Sequence, residues 1–592
     1  MKTKLLPLYS TTLLYFLYYV ISMVKFDVQI LTVAITYDFL LLLFINYLIF
    51  AISRKFWLFL IIQTIIMGIL YVGNAVKISF FGGPIMPDDV FALRSLLLIL
   101  EGWRFFAAAI PLAALLGLLL FNFSMRRWSS YVACSVIILF VMTVVYKPNM
   151  ILDPIDKYTG NSVWDQRSNY VWHGATLYSL QETTRFFSLI DNPPTIDDAE
   201  IAANNLLDNT VKSVSDEPFL ARNVHIVLLE SFWDASNLKK AHYNQNPLSA
   251  EFRKLWKSAG YSHALTPVFG GYTANSEFEV LCGFPINKDN VKFERQLTNE
   301  VPCLPHILGD KGYKTVVSHP NVPVFWNRIN AYRNIGFQTY YSKDDFVLDD
   351  MNQEFLSDSS LYRQVLEKIG NDLNTKQPIV DYIVTYFGHW NYPLSESRPA
   401  KITSTSPVEE VTSYANTVYY KSHELMGFIN QLKKQDPTGI IVVFGDHLPF
   451  LGENFAGYVD SGVLTANRSD FSTDMFKFYV STPLIIIDGE KGVLSVGDLP
   501  LYQVPKLILN LLHYNEPSIM DYTVQSVNKY TRPLPGLHFS LLNKGEVELC
   551  KDLPLSDSCL ATNRWLQDVL IVSNDLFIGK QYTRPKHSEP IK

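Results

Sequence analysis

The chain has 592 residues, 48% of them hydrophobic, and a formal net charge of −6. That length exceeds what one small core can organise. With no basic block beyond the apolar N-terminal part to neutralise a run of phosphates, nucleic acid has no support as a partner. The composition is also uneven. Leu, Ile, Phe, Tyr and Val dominate up to residue 146, and charges, prolines and turn residues take over beyond it. The expected organisation is a five-span transmembrane anchor over 1–146, a juxtamembrane linker over 147–222 and an extracytoplasmic α/β domain over 223–592.

Five apolar stretches approach or reach the length needed to cross a bilayer: 5–24, 34–52, 56–77, 104–123 and 129–146. Their basic flanks alternate. Lys2 and Lys4 precede the first, Arg54 and Lys55 join the second to the third, and Arg126 and Arg127 join the fourth to the fifth. A cytoplasmic N-terminus puts all six inside, and five crossings then deliver the rest of the chain to the outer face of the membrane. Val24-Lys25-Phe26-Asp27 offers no small-residue cleavage site, so the first span is expected to be retained.

The turn-rich segment Phe80–Val90 leads into an apolar run at 91–100, which suits either an interfacial helix or a plain connector. The linker begins with Trp164, Tyr170 and Trp172, side chains suited to a membrane interface. Of five cysteines, Cys134 falls in a span. The other four lie outside the cytoplasm under this topology, where disulfides persist; Cys282 with Cys303 and Cys550 with Cys559 are the expected pairs.

In the second half, Val224–Leu229, Lys314–Val317, Tyr382–Tyr386, Ile440–Phe444 and Leu484–Ile487 read as buried strands separated by helical stretches. Apolar strands alternating with helices predict a mostly parallel sheet covered on both faces. The first is followed by Glu230, the second by Ser318-His319, the third by Phe387-Gly388-His389 and the fourth by Gly445-Asp446-His447. Ligand crevices in open parallel sheets lie beyond the carboxyl ends of the strands, so these side chains should converge. Two carboxylates and an imidazole, Glu230, Asp446 and His447, suit Mn²⁺ or Zn²⁺ better than Ca²⁺.

A nucleophile candidate stands in Gly270-Gly271-Tyr272-Thr273-Ala274-Asn275-Ser276-Glu277-Phe278. A helix starting near Ala274 would place Thr273 at its mouth, where the amides favour an anion. Simple N-capping is the competing role for Thr273, and Ser276 is the competing nucleophile.

Leu229-Glu230-Ser231, Thr273 with Ser276-Glu277-Phe278, Phe325-Trp326-Asn327-Arg328, His389 and Gly445-Asp446-His447 occur in an order that resembles the lipoteichoic acid synthase family. That family lies within the sulfatase-like branch of the alkaline-phosphatase superfamily, and its five-span anchor is also similar. The resemblance implies an alkaline-phosphatase/sulfatase-like catalytic domain with one divalent ion, Mn²⁺ first and Mg²⁺ or Zn²⁺ as alternatives. Glu230, Thr273, Asp446 and His447 would hold the ion, with Thr273 as nucleophile. His319, Trp326, Arg328 and His389 would grip the phosphoglycerol group, and His389 would also serve the leaving alcohol. Asn321 stands where an acid near the glycerol hydroxyls would be expected, and Gly388 replaces the Asn that usually precedes the histidine. The Cys282-Gly283-Phe284-Pro285 wording and Cys303 look more like relatives in Gram-negative periplasms.

The reaction implied is transfer of phosphoglycerol from a phosphatidylglycerol-type lipid to a hydroxyl of a glycan or polymer, through a covalent Thr273 intermediate. Two alternatives remain: phosphoethanolamine transfer on the same fold, and a non-catalytic membrane lipid sensor or regulator. Sulfate-ester hydrolysis is weaker, because no Cys/Ser-x-Pro-x-Arg pattern surrounds Thr273.

Overall fold

The computed structural model describes residues 5–585 except 82, 88, 91–102, 161–165, 189–192, 209–216, 288–289, 374, 376, 526–528, 543–545 and 552–553. Lys2, Lys4, Trp164 and the apolar run 91–100 therefore lie outside the described residues. The chain divides into two compact units, residues 1–191 with 467–469, and 192–466 with 470–592.

In the first unit, four helices among the described residues have the length and hydropathy to cross a membrane: Leu6–Phe26, Thr32–Ile52, Phe56–Ser79 and Trp128–Tyr146. A fifth helix, Trp103–Asn122, includes a shorter apolar stretch at Ala113–Asn122. Large apolar side chains such as Phe16, Val33 and Leu139 face outward. Polar contacts instead join the helices inside, since an unpaired polar group is costly in an apolar medium. Thr11 Oγ1 accepts from Asn46 Nδ2 at 3.2 Å and from Gln63 Nε2 at 2.8 Å. The turns at 53–55 and 122–124 are tied together, with Asn122 Oδ1 accepting from Arg54 N and Lys55 N at 3.1 and 3.0 Å. The two basic pairs, Arg54-Lys55 and Arg126-Arg127, thus flank one corner of the bundle. The stretch expected as a linker carries helices at Asn149–Thr159, Gln166–His173, Ala175–Ser188 and Ile196–Asp208, the last of which falls in the second unit.

The second unit is built on a nine-stranded sheet. Its strands are β1 (Val224–Leu229), β2 (His263–Leu265), β3 (Lys314–Ser318), β4 (Thr339–Tyr341), β7 (Ile379–Val384), β8 (Ile440–Gly445), β9 (Ser481–Asp488), β10 (Gly492–Leu494) and β11 (Asp498–Pro500). The order is β11-β2-β9-β8-β1-β7-β3-β4, with β10 paired to β9. A separate hairpin, β5 (Met351–Asn352) and β6 (Phe355–Leu356), lies between β4 and β7 in sequence.

The central strands β8, β1, β7, β3 and β4 are parallel, whereas β9 runs antiparallel to both β8 and β2. Every residue of β1, β7 and β8 is buried, as expected of a parallel sheet with helices on both faces. The third expected strand is displaced. β7 begins at Ile379 and ends at Val384, so Thr385 and Tyr386 belong to the loop beyond it. Both expected disulfides are formed, Cys282 with Cys303 and Cys550 with Cys559.

Candidate active site

The carboxyl ends of β1 and β8, adjacent and parallel, bring Glu230 beside Asp446 and His447. Ligand atoms of the three lie within 4.8 Å of one another, and all three residues are buried. Gly445 makes the approach feasible, because a Cβ there would collide with the carbonyl oxygen of Phe232. Ser231, at a left-handed φ of 52°, ties the two acids: its amide donates to Asp446 Oδ1 at 2.8 Å and its hydroxyl to Glu230 Oε1 at 2.9 Å.

Asp446 Oδ1 also accepts from the His447 amide at 2.9 Å, while Asp446 Oδ2 is buried with no hydrogen-bond partner among the described residues. His447 Nδ1 lies 2.9 Å from the Leu448 carbonyl and must donate to it. A neutral His447 ring therefore presents the lone pair of Nε2, which stands 3.2 Å from Asp446 Oδ2 and 3.7 Å from Glu230 Oε1. Three electron-pair donors facing one another require a cation or a proton between them. Burial and the neighbouring Glu230 charge push the Asp446 carboxyl up. Burial works against the Glu230 carboxylate, yet the field of its basic neighbours and the Ser231 hydrogen bond hold it below the usual range. An orphaned carboxylate oxygen, a fixed imidazole tautomer and a second acid fit a divalent ion.

Thr273 opens the helix Thr273–Cys282, whose residues are all buried. The capping position belongs to Tyr272, at a left-handed φ of 60°, and the Thr273 hydroxyl instead donates to Glu230 Oε2 at 3.3 Å. The capping role weighed against the nucleophile thus has no hydrogen bond behind it. Ser276 is one turn inside, its hydroxyl donating to the Asp446 carbonyl at 2.7 Å.

The remaining expected residues surround this centre. Trp326 stacks on Tyr272 at 5.7 Å. His319 donates from Nδ1 to the Val384 carbonyl at 3.1 Å, and burial together with the Arg328 charge keeps its ring neutral. The exposed His389 stacks on Phe355 at 5.5 Å and donates from Nδ1 to its neighbour Trp390 O at 3.0 Å. Arg328 departs from the expectation of a free fork for phosphate. Its Nε and Nη2 both donate to Glu277 Oε1, at 2.9 and 2.7 Å, in a buried pair. Only Nη1, with a 3.5 Å contact to the Phe325 carbonyl, remains weakly engaged. Asn321 turns its side chain onto its own loop, accepting from Val322 N at 2.7 Å.

Sequence reasoning assigned no role to Ser231, Glu277, Thr385 or Lys421. Ser231 and Glu277 stand inside the quoted motifs, so their positions were visible although their partners were not. Thr385 Oγ1 accepts from the Glu230 amide at 2.8 Å and from Lys421 Nζ at 3.1 Å.

Residues 222–484 match the Sulfatase family. A Rhizobium meliloti (strain 1021) protein provisionally assigned to cyclic beta-1,2-glucan modification is 26% identical over 441 residues, 71% of this chain and 64% of that protein. The lipoteichoic acid synthase of Staphylococcus aureus (strain USA300) is 28% identical over 191 residues, 30% of this chain and 28% of the synthase. The matches thus span less than two thirds of either relative. Among solved structures, the lipoteichoic acid synthase LtaP from Listeria monocytogenes superposes with a TM-score of 0.50 at 19% identity, covering 65% of this chain and 99% of that one. This likeness extends to the fold. Residues 222–484 are thus similar to sulfatase-family domains, and they are preceded in sequence by apolar helices long enough to cross a membrane.

Proposed function

We propose that the protein transfers phosphoglycerol from a phosphatidylglycerol-type lipid to a hydroxyl of a glycan or polymer, outside the bacterial cytoplasmic membrane, with Thr273 as nucleophile. The observation that carries this reading is the meeting of the Thr273 hydroxyl with Glu230, beside the unpartnered oxygen of Asp446. Similarity to a lipoteichoic acid synthase and to a glucan-modification protein supports the group and the acceptor class. The shared corner of Arg54-Lys55 and Arg126-Arg127 supports a cytoplasmic N-terminus with the catalytic domain outside.

Glu230, Asp446, His447 and the Thr273 hydroxyl would hold one divalent ion, Mn²⁺ in the first instance. When bound, such an ion lowers the cost of ionising the hydroxyl and offsets charge on the phosphate oxygens. Glu230 Oε2 aims the Thr273 hydroxyl. With its proton released to solvent, Thr273 Oγ then forms a bond to phosphorus as the bond to the diacylglycerol oxygen breaks, and His389 hands that oxygen a proton. In the second half, His389 takes the proton of the acceptor hydroxyl, whose oxygen displaces Thr273 Oγ. Neutral His319 offers Nε2 as an acceptor for a glycerol hydroxyl, Arg328 Nη1 offers one donor to the phosphate, and Trp326 excludes water.

Incubation of the purified full-length protein with headgroup-labelled phosphatidylglycerol, and separately with phosphatidylethanolamine, tests the reading. Release of diacylglycerol and label transfer only from the first is expected. Turnover of the ethanolamine lipid alone would reassign the donor, and turnover of neither would favour a lipid sensor.

A further inference from the structure

The helix Glu409–Gln435 passes behind the site and contributes a side chain that the scheme above does not use. Lys421, fully buried, sits two turns after Tyr414 on the same face. Tyr414 holds the loop after β1, its hydroxyl lying 2.7 Å from the Ser231 carbonyl and accepting from Trp233 N at 2.7 Å. The three protons of Lys421 Nζ match three acceptors: Asp358 Oδ2 at 2.9 Å, Thr385 Oγ1 at 3.1 Å and the Phe387 carbonyl. Thr385 Oγ1 passes the restraint to the Glu230 amide, and Phe387 opens the turn that leads to His389. Gly388 is needed for this convergence. At φ +106° it is in a glycine conformation, and a Cβ there would stand 2.9 Å from the Glu230 carbonyl and 3.1 Å from Lys421 Nζ.

A buried ammonium is expensive unless paired and fully hydrogen-bonded. Here the pairing with Asp358 leaves two of its donors committed to the loop after β7, where Thr385 in turn accepts from the Glu230 amide just past β1. We propose that Lys421, paired with Asp358 and acting through Thr385 and the Phe387 carbonyl, is a positioning residue that holds Glu230 and the His389 turn in register with each other. The inference rests on the reading of Glu230 as a metal ligand. It makes a distinct claim, that the ion's affinity depends on a hydroxyl that never touches it.

The test is titration of the metal-free, full-length protein in detergent with Mn²⁺, with melting temperature recorded in parallel. Thr385→Val removes the bridging oxygen at nearly constant volume and is expected to weaken Mn²⁺ binding about 10- to 100-fold, the range found when support for a metal ligand is lost. Thr385→Ser restores the oxygen and should stay within about threefold of the wild type. Leu432→Ala, a buried change three turns further along the same helix, should lower melting temperature and leave Mn²⁺ affinity unchanged. Should Thr385→Val fail to fold, Lys421→Gln combined with Asp358→Asn exchanges the ion pair for a neutral pair and is expected to weaken binding by a similar factor. Wild-type affinity in Thr385→Val or in the double variant overturns this proposal alone. A wild-type protein that binds no Mn²⁺ overturns the metal reading, and this inference with it.

Discussion

The two ends of strand β1 carry opposite solutions to burying charge. At its start, His225 lies between two carboxylates, with Nδ1 3.3 Å from Asp381 Oδ2 and Nε2 3.1 Å from Asp436 Oδ2. Just past its end, Glu230 and Asp446 share a pocket with one imidazole, and one Asp446 oxygen has no hydrogen-bond partner among the described residues. The first cluster pairs a cation with anions and serves the fold. The second gathers like charges and lone pairs, an arrangement that costs stability until a cation fills it. Burial alone therefore does not distinguish a structural charge from a working one; the balance of donors and acceptors does.

The largest expected effect lies at the second cluster. Asp446→Asn keeps the shape and removes a charge that repels Glu230. Metal-free protein carrying it should be as stable as the wild type or more so, while turnover falls roughly 10³-fold or more. Parallel melting and turnover assays check this, and a strongly destabilised Asp446→Asn protein would make that cluster structural as well.

At the first cluster the signs reverse. Burial works against a charged His225, yet its hydrogen bonds to Asp381 and Asp436 raise its pKa to about 9 from the ordinary 6.5. A pKa raised on folding adds stability that is complete below about pH 6.5 and is lost as the pH climbs through 9. The shift corresponds to about 3 kcal/mol. His225→Gln should cost about that much at pH 6 and much less above pH 9, with Mn²⁺ affinity unchanged in the folded fraction. Denaturant titration at the two pH values would show whether the gap narrows.

A smaller effect separates the disulfides. Cys282–Cys303 closes 21 residues and ends the helix that Thr273 begins, whereas Cys550–Cys559 closes 9 and joins the strand Val547–Cys550 to the helix Asp557–Phe577. Loop-closure entropy gives about 3 kcal/mol for each, slightly more for the longer loop. Serine replacement of the first pair should lower both stability and turnover; replacement of the second should lower stability alone. Melting curves and rates at a temperature where both variants are folded make the comparison.

Much of this architecture was legible because its signals are local. The apolar runs marked β1, β3 and β8 closely and fell inside the longer β9, and the polar residues after the first four runs marked the candidate site. Where the reading slipped, a buried charge was responsible. Asp381 interrupts the apolar run at the start of β7 because it partners His225, in register on β1, so the strand was placed three residues late. Arg328 reads as a free phosphate fork because its partner Glu277 lies 51 residues away. Lys421 drew no role because nothing local in the sequence marks its face of the long helix as buried.

The central claim is a covalent bond to Thr273, and the most direct measurement is the mass of the peptide containing Thr273 from wild-type protein stopped during turnover of phosphatidylglycerol. A phosphoglyceryl increment on that peptide, absent from a folded Thr273→Ala protein that has lost turnover by orders of magnitude, is the predicted result. An active, metal-replete Thr273→Ala enzyme, or an increment confined to another residue, would contradict it.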